Sequence, residues 1–201
     1  MGIGMMSADE GNCGSIMCKD NIQRMVEEMK VWASKPMSPQ ELERYHAVKT
    51  VSAFIKLTSP VLYGSAPVPI EPSVIDNLLK ALAYLSPHES VVGRIFDRDG
   101  YIFGLLFSEY WGNLKKRIIE KEISNKTQKD LVSVISLLPE IMRKVETPDD
   151  VLIQSIETVI KNGQADINTL VEPETSNFVE RAGQNLLEDR QERLSRENLY
   201  Y

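Results

Sequence analysis

The sequence predicts an all-α fold: a single compact multi-helix domain of about seven or eight helices, with a flexible N-terminal arm and a projecting C-terminal helix. Three observations lead there. A helix-start signature recurs along the chain, apolar residues repeat at helical spacing after each start, and no segment alternates as a strand does. The signature reads Ser38-Pro39-Gln40-Glu41, Ser86-Pro87-His88-Glu89 and Thr147-Pro148-Asp149-Asp150. In each, a hydroxyl can accept from the first free backbone N–H groups, proline sits where its missing N–H costs nothing, and a carboxylate can reach back to the cap. Ser73-Val74-Ile75-Asp76 and Thr127-Gln128-Lys129-Asp130 repeat the pattern without proline.

Residues 1–18, rich in Gly, Met and Ser and without periodicity, are expected to form a mobile arm. The core domain is placed at 19–187. Its first helix starts near Asp20 and carries Ile22, Met25, Val26, Met29 and Trp32 on one face. A second runs from Pro39 towards Thr58, with Leu42, Tyr45, Val48, Val51, Phe54, Ile55 and Leu57 as its apolar set. Pro60, Pro67, Pro69 and Pro72 then exclude a regular helix and mark an extended connection over 59–72.

From Val74, the residues Ile75, Leu78, Leu79, Leu82 and Leu85 make a wide stripe that belongs in a core. A short helix is expected from Pro87, followed by a turn at Asp97-Arg98-Asp99-Gly100. The segment 101–122 reads as one central helix, apolar nearly all round in its first half. Pro139 interrupts the next helix, 128–145. Val151, Leu152, Ile156, Val159 and Ile160 form another, closed by Gly163, and a short turn at 166–170 leads to Pro173. The last helix, from Ser176 to about Leu199, packs its first half and turns highly charged over 188–201, the C-terminal extension.

With 201 residues and 42% hydrophobic content, the chain can bury one substantial core. Its longest apolar stretch is about half the roughly 20 residues a membrane span needs, and the N-terminus lacks a secretory pattern, so an intracellular location, cytoplasmic or nuclear, is expected. Cys13 and Cys18, the only cysteines, lie in the arm and form neither a disulfide framework nor a zinc set. The net charge is −6, with a basic excess in 113–146 and an acidic one in 147–201.

Few motifs carry chemistry. Glu43 and His46 have the spacing of carboxylate-bridged metal helices, but the required second copy is absent. The Asp97–Gly100 stretch fails the calcium-loop pattern at its first and twelfth positions, occupied by Ile95 and Leu106. There is no phosphate loop and no nucleophile elbow. No catalytic residue, metal or cofactor is assigned, and the chain is read as not an enzyme. Ser59, before Pro60, is the one Ser/Thr-Pro pair that capping leaves open to phosphorylation.

Three surfaces remain. Gly100, Gly104, Ser108 and Gly112 recur every four residues beside Trp111, a small-residue row that lets another backbone approach, within the chain or across a subunit interface. Leu199, Tyr200 and Tyr201 end the chain with side chains apolar enough to dock in a partner groove. Lys115, Lys116 and Arg117, with Lys121 one turn on, are the candidate nucleic-acid contact. The expected function is therefore that of a structural or adaptor protein acting through protein–protein interaction and self-assembly as a homo-oligomer, with viral-type capsid, nucleocapsid or matrix components as an instance. A nucleic-acid-binding regulator using 115–129 is the alternative, and membrane insertion is not expected.

Overall fold

The computed structural model describes residue 27 and residues 36–87, 100–161 and 166–199. The arm and its cysteines, the helix expected from Asp20 apart from Glu27, the helix and turn expected over 87–100 apart from Pro87 and Gly100, Gly163, Tyr200 and Tyr201 lie outside those residues. All regular structure among the described residues is helical: α1 (Pro39–Thr58), a 3-10 segment (Ser59–Tyr63), α2 (Pro72–Leu85), α3 (Tyr101–Glu109), α4 (Trp111–Ile119), α5 (Asn125–Ile135), α6 (Leu138–Met142), α7 (Asp150–Lys161), α8 (Ile167–Val171) and α9 (Pro173–Asn198). None of these helices is long and apolar enough to cross a membrane.

The chain divides into two units, Met1–Leu42 and Glu43–Tyr201. In the first, the capping box that opens α1 forms as the sequence predicts. The backbone N–H and the hydroxyl of Ser38 both donate to Glu41 Oε2 at 2.8 Å, and the Glu41 N–H donates back to Ser38 Oγ at 3.3 Å. Met37 and Leu42 are exposed.

The second unit is built around α3. Tyr101 to Phe107 are all buried, seven consecutive residues, so this helix has neighbours on every side. Its most extensive contact is with α9, and two glycines permit it. A Cβ on Gly183 would lie 2.7 Å from the Ser108 backbone nitrogen and 2.9 Å from the Phe107 carbonyl carbon; one on Gly104 would lie 3.0 Å from the Leu187 nitrogen. The helices thus touch backbone to backbone. Gly100, at φ +64°, forms the turn into α3, and there a Cβ would meet Ile141 Cγ2 at 2.5 Å. The second large pairing is α2 on α5, and α7 packs against α6 and α9.

The segment read as one central helix is two. Tyr110, at φ −112° and ψ −9°, forms the joint. The bend lets α3 bury every face while α4, the amphipathic half, buries only Trp111, Leu114 and Ile118. The Tyr110 hydroxyl donates to the Val68 carbonyl at 3.0 Å, which ties the proline-rich connection to the core. Pro139 breaks the next helix as expected, since it can open α6 but not continue α5.

Three caps fall elsewhere than predicted. α2 starts at Pro72, with Glu71 rather than Ser73 at the cap, because proline's fixed φ suits the first turn. Ser124, not Thr127, caps α5 by accepting from the Thr127 N–H at 3.2 Å. Asp149, not Thr147, caps α7 by accepting from the Leu152 N–H at 2.9 Å, and Arg181 of α9 pairs with the same carboxylate at 3.6 Å. The turn at 166–170 is a short helix whose cap, Asp166, accepts from the N–H groups of Asn168 and Thr169. Beyond its buried first half, α9 is held at the side by the 146 loop. The Glu146 N–H donates to Asp189 and Arg196 pairs with Glu146, while residues 195–199 are exposed.

Substituting Gly183→Ala forces backbone apart at the α3–α9 crossing and lowers stability by about 2–4 kcal/mol in urea denaturation. Gly112→Ala, at an exposed helical site with open space around it, is neutral or gains up to about 1 kcal/mol in the same measurement. Burial also pushes the phenols of Tyr101 and Tyr110 above their ordinary value of 10.0. The neutral phenols favour the fold, so that contribution is complete below about pH 10 and is lost as pH rises towards the folded values. Tyr101→Phe flattens the alkaline limb of a stability–pH curve.

Candidate functional site

The first amphipathic helix of the second unit is only half covered. Ala47, Val51, Phe54 and Thr58 of α1 face inward, whereas Tyr45 and Leu57, members of the helix's apolar set, are 46% and 45% exposed. Across from them, α2 buries Ile75, Leu78, Leu79 and Leu82 and turns a second row outward. Between the two helices lies an open groove of about 370 Å³. One wall is the α1 row of Glu43, His46, Thr50, Ala53 and Leu57; the other is the α2 row of Val74, Asn77, Lys80 and Tyr84. These rows follow helical spacing, so each wall is a ridge of one helix.

The floor is apolar and small. Ala47, Ala81 and Phe54 are buried there, and the Phe54 ring is held from beneath by an edge contact with Tyr110, centroids 6.1 Å apart. The Phe54 carbonyl also accepts from the Thr58 hydroxyl at 2.7 Å. A Lys49 amine sits 5.6 Å from the Tyr45 ring centroid, close enough for cation–π attraction. Glu43 and His46 are exposed, and among the described residues no group of three or more His, Cys, Asp or Glu side chains could hold a metal.

The other candidate residues are placed differently. Gly104 is buried and Ser108 half-buried against α9, and Trp111 is buried with its indole N–H donating to Ser176 Oγ at 2.9 Å. Their contacts are intramolecular, and Gly183, which completes the crossing, was not singled out from the sequence. Its place is signalled only by the small-residue partner it needs on α3. Gly112 is exposed. Leu199, at the end of α9, is 83% exposed.

Within the basic cluster, Arg117 grips both carboxylate oxygens of Asp76 at 3.2 and 3.1 Å, with its side chain only 11% exposed. Lys115 donates to the fully buried Ser176 Oγ at 3.0 Å. Lys116 faces Glu120 at 3.9 Å, an exposed pair of little energetic weight. Lys121 does not continue the helix: α4 ends at Ile119, and Lys121 takes φ +58°. Arg117 and Lys121 therefore do not share a helical face. Comparison with protein-family models, curated proteins and solved structures finds no match to this chain.

Removing the Arg117 guanidinium leaves a partly buried carboxylate without its partner. Arg117→Ala is expected to cost about 2 kcal/mol in denaturant unfolding. The double variant Asp76→Ala/Arg117→Ala should lose less than the two single losses combined, with a coupling of about 1 kcal/mol in a double-mutant cycle.

Proposed function

We propose that this chain is a non-enzymatic helical adaptor that works by binding another protein through the α1–α2 groove. The observation that carries this reading is the open groove itself, in whose mixed polar and apolar walls Leu57 and Val74 stay accessible beside a floor of Ala47, Phe54 and Ala81. Folding normally covers such side chains, and apolar residues kept open along a concave two-helix surface are the raw material of a helical recognition site.

The adaptor form is better supported than the self-assembling one. Of the small-residue row that suggested a subunit interface, Gly104 and Ser108 meet α9 of the same chain, which leaves Gly112 as its exposed member. A nucleic-acid role loses support for a parallel reason: Arg117 is paired with Asp76 and the Lys115 amine is turned onto Ser176, which leaves Lys116 and Lys121 as the outward members of that contact.

Light scattering on a sizing column near physiological salt tests the choice. The expected outcome is a native mass near 22.8 kDa at all loadings. A discrete larger species would sink the monomeric adaptor and restore the self-assembling structural subunit.

A further inference from the structure

The groove also constrains what enters it. We propose that its occupant is an acidic amphipathic α-helix of a partner protein, an inference that rests on the adaptor reading above. The geometry favours a helix. Both walls are helices whose backbone groups are already hydrogen-bonded internally, so an added strand would find no ladder to join. From Glu43 to Leu57 the α1 ridge runs about 21 Å at 1.5 Å per residue, the length of about four helical turns. Alanines at 47, 53 and 81 leave room for larger side chains from a helix at i, i+3 and i+7.

The charge favours an acidic one. Lys80 lines the α2 wall, and Lys49 and Lys56 stand one helical step to either side of Ala53 on α1. All three are exposed. Among the described lining residues Glu43 is the single carboxylate, at the N-terminal end of the α1 ridge, where it would pair with a base on the incoming helix and set its direction. On a chain of net charge −6, this locally basic rim selects acidic flanks and repels basic ones.

Fluorescence anisotropy with the full chain and two capped synthetic peptides tests the proposal. Each peptide is an amphipathic helix of about 15 residues with leucines at i, i+3 and i+7, flanked in one by glutamates and in the other by lysines. The expected result is that the glutamate peptide binds at least about tenfold more tightly at low salt, with the gap closing as salt is added. Lys49→Glu/Lys56→Glu/Lys80→Glu should invert the preference, and Leu57→Asp should abolish binding of both peptides while helicity by circular dichroism is unchanged.

Equal affinity for the two peptides overturns the acidic assignment and leaves the apolar groove standing. Binding of neither overturns the helix-in-groove proposal and the groove reading together. A native mass that is a multiple of 22.8 kDa and falls to that value in Leu57→Asp makes a second copy the occupant, which overturns this proposal by a route the peptides alone would not reveal.

Discussion

Backbone contact between α3 and α9 is the constraint on which the second unit depends. Gly104 and Gly183 each lack the atom that would hold the two helices apart, and the approach they allow seats Gly104 against the Leu187 backbone and Gly183 against Phe107 and Ser108. Dispersion attraction falls steeply with distance, so a small widening would loosen many contacts at once. Because α3 is buried on all sides, that loosening would reach its other neighbours: Gly100 and Ile141 at its start, and the Tyr110 joint at its end.

A few polar ties then set the arrangement that the apolar core leaves open. Ser176, fully buried on α9, accepts from both the Trp111 indole and the Lys115 amine, fixing α4 against α9. Arg117 fixes the other side of α4 to α2 through Asp76. Buried donors and acceptors are costly when unmet, so such ties specify one packing more than they add stability. They also explain why residues that resemble a phosphate-binding cluster in one dimension serve as internal anchors in three.

The groove is the consequence of what these ties leave uncovered. The proline-rich connection, held by the Tyr110–Val68 hydrogen bond, returns the chain so that α2 follows α1 across a shared apolar floor. Phe54 fills that floor and Tyr110 supports it from below, giving the groove a firm base under small side chains. The same joint that divides α3 from α4 therefore bears on the core, the connection and the candidate binding surface.

Local chemistry determined much of the fold. The Ser38 capping box, the bounds of α1, the break at Pro139 and the wide core stripe of α2 are all short-range effects of proline geometry, hydroxyl capping and helical periodicity, and the sequence displays them directly. Where two residues competed for one role, only tertiary structure decided. Asp149 prevails over Thr147 with Arg181 of α9 beside its carboxylate, and Ser124 over Thr127 where the buried Ile123 leads into α5. The binding surface was the least legible part. Spacing put Tyr45 and Leu57 in the apolar set of α1 without showing that they stay exposed, because periodicity reports that a side chain is apolar, not what covers it. Cover is a property of elements distant in sequence, and so the groove, the Arg117–Asp76 pair and the role of Gly183 emerged only once the helices were packed.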